Sequence, residues 1–230
     1  MSPLVQYAVA DKVARIRMDD GKVNVMTIAM LDQLGQAFDR AERDGAIAIL
    51  TGRAHVFSAG FDLNVLRGSD VEQGLRMLKT GAELALRLLS FPTPVIAACN
   101  GHALPMGAFL MLASDVRIGA DGPFGIGLNE VAIGLTLPQF AIELARQRLT
   151  PAYFNRGLMT GERYPPAEAV QAGYLDQVVP PERLEQRVDE IARMLTGIDF
   201  RAHAATKCKA RAPAIAAVRA AIDLELKLPA

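Results

Sequence analysis

Residues 94–113 read PVIAACNGHALPMGAFLMLA. Pro94–Cys99 is a continuous apolar run, as expected of a strand buried on both faces of a sheet. Asn100-Gly101 punctuates it. Pro105–Ala113 then reads as a helix opened by proline, whose missing N–H would be unpaired in a first turn anyway. A similar succession lies upstream. Ala46–Thr51 is an apolar strand, residues 52–62 form a glycine-bearing loop, and Val71–Leu89 is a long helix. Further upstream, Leu4–Ala10 and Val13–Met18 are β-prone runs around Asp11-Lys12, a hairpin signal closed by Asp19-Asp20-Gly21. Thr27–Arg43 carries Met30, Leu31, Leu34 and Phe38 at helical spacing. Downstream, Val116–Ile118 is a strand. Prolines open predicted helices over Pro138–Leu149, Pro151–Met159, Pro166–Ala172 and Pro181–Leu195. Residues 200–225 read as helical and polar enough to lie outside the core. Strands and helices thus alternate, then helices follow alone. This pattern predicts an α/β fold with buried sheets and a helical C-terminal region.

The chain of 230 residues is 51% hydrophobic and 22% charged, an ordinary globular balance. Twenty-five basic residues match 25 acidic ones, so no net basic field argues for nucleic acid. Cys99 and Cys208 are the only cysteines; they suggest neither a disulfide framework nor a zinc site. The expected compartment is reducing and cytoplasmic. Residues 1–20 read as two strand-like runs rather than a signal peptide. The apolar run Pro92–Cys99 is too short to span a bilayer.

Three segments can carry chemistry. Phe57-Ser58-Ala59-Gly60-Phe61-Asp62-Leu63 follows a predicted strand and precedes a short helical stretch. Its small residues allow close backbone approach, and a helix start leaves N–H groups unpaired and suited to an oxyanion. The same stretch equally suits a plain turn capped by Asp62. Asn100–Ala108 repeats the arrangement, with Met106 and Gly107 as first-turn donors and Pro105 unable to donate. In the third, Ile126-Gly127-Leu128-Asn129-Glu130, Glu130 is the one charge between Pro123 and Pro138. Desolvation there would raise its pKa and let it take and return a proton near neutral pH. A surface loop glutamate is the competing reading. His102 reads as a turn residue at the mouth of any site, and His55 and His203 as surface groups.

In this order, the segments resemble the enoyl-CoA hydratase/isomerase superfamily, or crotonase fold. Phe57–Leu63 is similar to the family's F-[SA]-A-G-x-D-[LI] turn, and Asn100–Gly107 to its N-G-x-A-x-G-G-G turn. Asp115-Val116-Arg117 resembles [CS]-D-[IVL]-R. Glu168-Ala169 with Gly173-Tyr174-Leu175 resembles E-A-x-x-x-G-[LF]-[VI]. The resemblance implies a spiral of ββα units over residues 1–195 that carries the acyl-CoA site. It also implies a helical oligomerisation region over 196–230, used for a homo-trimer or hexamer. No cofactor or metal is implied, since CoA is part of the substrate. The implied oxyanion donors are the N–H groups of Phe61 and Met106. Ala59, Gly60, Asp62, Gly107 and Phe109 fall on the substrate-binding turns and pocket, and Lys22 near the CoA phosphates. Pro105 and Met106 replace two glycines of the usual triplet. Phe109 stands where hydratases carry a second glutamate, leaving Glu130 as the implied acid/base. The segment Ile126–Glu130 resembles the loop of mitochondrial-type Δ3,Δ2-enoyl-CoA isomerases. The implied reaction therefore moves a double bond from 3-enoyl-CoA to 2-enoyl-CoA. Hydration of 2-enoyl-CoA, or acyl-CoA binding without catalysis, are the alternatives.

Overall fold

The computed structural model describes residues 3–227. Its elements in chain order are β1 (Val5–Ala10), β2 (Val13–Met18), β3 (Val25–Met26), α1 (Ile28–Arg43), β4 (Ile47–Thr51), β5 (His55–Ser58), β6 (Gly60–Phe61), α2 (Leu63–Leu66) and α3 (Val71–Leu89). There follow β7 (Val95–Cys99), β8 (Gly101–Ala103), α4 (Pro105–Ala113), β9 (Val116–Ala120), α5 (Gln139–Arg146), α6 (Pro151–Thr160) and α7 (Pro166–Ala172). The chain closes with β10 (Gln177–Val179), α8 (Leu184–Leu195), α9 (Phe200–Ala210) and α10 (Ala212–Glu225).

A six-stranded sheet runs β1-β2-β4-β7-β9-β10. Only the β1–β2 hairpin is antiparallel; every other neighbour pair is parallel. The turns starting at β2, β4 and β7 each supply one strand to this sheet, then one short strand (two after β4) to the flanking pairs β3–β6 and β5–β8, and then a helix. The architecture is therefore the expected α/β spiral of ββα units.

The apolar runs predicted for double burial behave so. In β4, Ala48 and Leu50 face the larger core under α1, α3 and α4. Ile47 and Ile49 face a second core against α8. Alternation along a strand explains the split. Burial of each such side chain contributes roughly 1.5–3 kcal/mol.

Two expectations need correction. Residues 52–62 are not simply a loop, since they contain β5 and β6. These strands are too short to show a period in sequence and form only by pairing with β8 and β3. The pairing is close: a Cβ on Gly101 would stand 1.9 Å from the His55 carbonyl carbon. Of the helices in 200–225, α9 stays outside the apolar core, burying only Lys207, but α10 does not. Val218, Ala221 and Ile222 of α10 are buried in the larger cluster. The alanine-rich face that made α10 look peripheral is what lets it approach closely.

Asp115 and Arg117 tie the later helices to the body. Asp115 accepts the Val95 N–H at 2.8 Å, Lys207 Nζ at 2.7 Å and the Arg211 guanidinium at 2.9 Å. Arg117, only 4% exposed, pairs with Asp176 and donates to the Gly173 carbonyl. His203, expected at the surface, is half-buried, with Nε2 at 3.9 Å from Asp115 Oδ2. Its pKa is lowered, first by burial and then by Lys207 and Arg211, against the pull of Asp115. Cys99 is buried and Cys208 exposed. Among the described residues no helix is long and apolar enough to cross a membrane.

Candidate active site

Pairing of β5 with β8 carries the two turns into contact. The Leu104 N–H donates to the Ser58 carbonyl at 2.9 Å. Ser58 Oγ accepts the Gly60 N–H at 3.0 Å and donates to the Asn24 carbonyl at 2.7 Å. Gly60 has φ +91°, and a Cβ on it would lie 3.3 Å from Pro105 Cδ. Glycine supplies both the positive φ and the close approach. The residue after it, Phe61, is thus set beside the start of α4.

Met106 sits in the first turn of α4, where its N–H has no acceptor within the helix. Its side chain is fully buried. A Cβ on Gly81 of α3 would meet the Phe61 ring at 2.7 Å and Met106 Sδ at 3.0 Å. Methionine at this position therefore packs into the α3–α4 contact. Leu104 and Pro105, not Met106, face the neighbouring cavity. A glycine is unnecessary at 106 because the side chain packs toward Gly81 and not into the cavity.

The third segment docks on the same strand. The Ala103 N–H donates to the Gly125 carbonyl and the Gly127 N–H to the Ala103 carbonyl, at 3.2 and 3.1 Å. Ile126 and Tyr164 exchange backbone bonds of 3.0 and 2.9 Å. Glu130 then precedes a short 3₁₀ turn, Val131–Ile133, that ends on Gly134 at φ +78°. The result is a cavity of about 310 Å³ whose wall includes Ala59, Phe61, Leu104, Phe109, Asn129 and Glu130.

Glu130 is the one ionisable side chain in that wall and is 7% exposed. Burial pushes its pKa up to about 7, against a smaller lowering by its own backbone N–H. No cation among the lining residues offsets the desolvation. Such a carboxylate can exchange a proton near neutrality. Phe109 is fully buried and meets Phe140 edge-on, with centroids 5.4 Å apart at 74°.

The other expected residues are placed differently. Asp62 caps α2, accepting the Asn64 N–H at 2.9 Å. Lys22 is exposed and outside the cavity wall; its carbonyl accepts from Arg53 at 2.7 Å. Gly107 lies behind the wall against Ser58. His102 is held by the loop, its Nδ1 accepting the Gly125 N–H at 3.0 Å. The aliphatic wall of Leu66, Leu78, Ile133 and Leu135 carries no signal in sequence. Those leucines look like any other residue on a helix or loop.

The Enoyl-CoA hydratase/isomerase family model matches residues 9–228. The chain belongs to the enoyl-CoA hydratase/isomerase family. Human mitochondrial enoyl-CoA delta isomerase 1 is 32% identical over 186 residues, 79% of this chain and 62% of that protein. The 2,3-dehydroadipyl-CoA hydratase of Escherichia coli is 30% identical over 161 residues, 69% of this chain and 62% of that one. The chain thus spans less than two thirds of the length of these curated relatives. A solved Mycobacterium tuberculosis protein, named an enoyl-CoA isomerase in one structure and a probable enoyl-CoA hydratase in another, is 44% identical in the first, with a TM-score of 0.92 and 97% of each chain covered. Relatives of this enoyl-CoA hydratase/isomerase family chain are thus named for both reactions. Family membership alone does not choose between them.

Proposed function

We propose that this chain is an enoyl-CoA isomerase with Glu130 as its sole acid/base. The observation that carries the reading is the cavity wall itself, where one carboxylate of raised pKa stands among apolar residues, Phe109 included. Ionised Glu130 takes a proton from C2 of a 3-enoyl thioester. The C–H electron pair moves into a dienolate whose oxygen is held by the N–H groups of Phe61 and Met106. The protonated glutamate then returns the proton at C4, leaving the double bond between C2 and C3. One carboxylate suffices because one proton is taken and one returned. Hydration must also orient a water, a task for which Phe109 has no polar group.

Ala59 and Gly60 present backbone to the thioester end of the ligand, Gly107 allows the two turns to close, and Asp62 holds α2 at the cavity edge. Lys22 is assigned to the CoA phosphates. No cofactor beyond the substrate's CoA is required. Assembly into trimers or hexamers is assigned to the C-terminal helices.

The test is Glu130→Gln. Isomerisation of 3-enoyl-CoA is expected to fall by roughly 10²–10⁴-fold, the usual worth of a general acid–base group, with acyl-CoA binding retained. Unchanged activity overturns the mechanism. Robust hydration of 2-enoyl-CoA by the unmodified protein overturns the choice of reaction.

A further inference from the structure

Four buried side-chain polar atoms among the described residues lack a hydrogen-bond partner: Glu130 Oε2, the Tyr164 hydroxyl, the Tyr174 hydroxyl and His203 Nε2. The last belongs to the Asp115 cluster. The other three lie on segments that pack together: Glu130 on the loop paired with Tyr164 through the Ile126 backbone, and the two tyrosines against each other. Tyr164 and Tyr174 are fully buried, with ring centroids 6.1 Å apart. A Cβ on Gly157 would lie 3.3 Å from one hydroxyl and 3.8 Å from the other, so both reach the same bare patch of α6.

The Glu130 loop is clamped onto this region on both sides. Ile126 is bonded to Tyr164 through both backbone groups. Gly127 abuts the Glu162 carbonyl, where a Cβ would stand at 2.6 Å, and Ala132 N lies 2.6 Å from a Cβ on Gly161. Oε2 is sealed from solvent, so a donor for it must come from within the protein. Buried polar atoms are costly to leave unpaired, and a phenol bonded to a carboxylate relieves two at once.

We infer that Tyr174, backed by Tyr164, is a positioning residue for Glu130: as the carboxylate takes on charge its Oε2 accepts the buried phenol's hydrogen bond, directly or through one ordered water, leaving the other oxygen for the substrate. The inference rests on the assignment of Glu130 as the base. The phenol is a permanent donor here. Burial, then Tyr164 and the Glu130 carboxylate, push its pKa above the ordinary range. The charged groups facing this region are few. Arg156 of α6, 5.9 Å from the Tyr164 ring centroid, pairs with Glu162 at 2.5 Å and approaches Glu168 of α7 at 3.9 Å, and Glu162 acts on the Tyr164 hydroxyl. The groups on the cavity side of Glu130 are uncharged.

The experiment is the pH profile of kcat/KM for isomerisation in Tyr174→Phe, Tyr164→Phe and, as a control, Tyr153→Phe. The Tyr153 hydroxyl contacts Glu168 and Gln171 at the outer surface. Loss of the donor disfavours ionised Glu130. The acidic limb should therefore move up by about one pH unit in Tyr174→Phe, with kcat reduced at pH 7 and KM little changed. Tyr164→Phe should move it less, and Tyr153→Phe not at all. A folded Tyr174→Phe protein with its limb unmoved overturns the inference. A high-resolution crystal structure at pH 8 decides the contact should that variant not fold. A Tyr174 hydroxyl within bonding distance of Oε2, or one water away, supports it, and a hydroxyl bonded elsewhere overturns it. Full activity in Glu130→Gln would instead overturn the underlying assignment, leaving the crystallographic contact to be judged separately.

Discussion

Gly107 packs against Ser58 so closely that a Cβ on the glycine would stand 2.8 Å from the serine Cβ. This is the point at which the two turns proposed to hold the oxyanion are pressed together. In Gly107→Ala either the start of α4 or the Ser58 turn must shift. Complete loss of one oxyanion donor costs about 2.7–4 kcal/mol of barrier, and a displaced donor loses part of that. The expected outcome is a fall in kcat of roughly tenfold or more, with stability reduced by about 1–3 kcal/mol from overpacking. Steady-state kinetics beside denaturant unfolding separates the two effects. Wild-type kcat in Gly107→Ala would show that the spacing is not critical.

Glu130 makes stability depend on pH with a definite sign. Its folded pKa, about 7, lies above the ordinary value of 4.5. Between those values the folded state holds the proton more tightly than the unfolded chain, so stability declines as pH rises from about 4.5 to 7. Glu130→Gln removes this decline. The variant should be more stable than the unmodified protein above pH 7, by up to about 3 kcal/mol, and near parity below pH 4.5. Urea midpoints at pH 5 and pH 8 check it.

Phe109→Glu would place a second carboxylate in the cavity wall. Like charge raises the pKa of both groups. The acidic limb of isomerisation should move up, and hydration of 2-enoyl-CoA should appear where it was absent. The lost aromatic packing against Phe140 lowers stability by about 3 kcal/mol or more. Coupled assays for both reactions on the same preparation provide the measurement.

Asp115→Ala should be among the most destabilising substitutions. It strands Lys207, 6% exposed, and Arg211 without their carboxylate. Breaking a buried pair from one side costs about 3–5 kcal/mol. Lys207 is already strained in this sense: burial, outweighing its attraction to Asp115, holds its pKa down at about 8. A melting temperature within a degree or two of the unmodified protein would contradict the account.

Much was legible in the chain because it depended on neighbours in sequence. The doubly buried strands Ile47–Thr51 and Val95–Cys99 showed as uninterrupted apolar runs. Helix α3 began at Val71 and ended at Leu89 as its pattern required, and Pro105 opened α4. The glycine turns and the isolated Glu130 stood out because their chemistry is unusual for their surroundings.

The amino-acid order alone determined the alternation of strand and helix, the family motifs and the isolation of Glu130 as the one charge between Pro123 and Pro138, since each is written in local periodicity or residue type. Tertiary structure decided what local pattern cannot carry. Strands β5, β6 and β8 exist only through pairing across more than 30 positions. Met106 serves at a glycine position because Gly81, distant in sequence, leaves room for its side chain. Helix α10 joins the core because small side chains let it come close. Glu130 acquires its raised pKa only when the loop docks on Ala103 and closes an apolar wall around it. Desolvation is a property of the enclosure, and the enclosure is assembled from segments far apart in the chain.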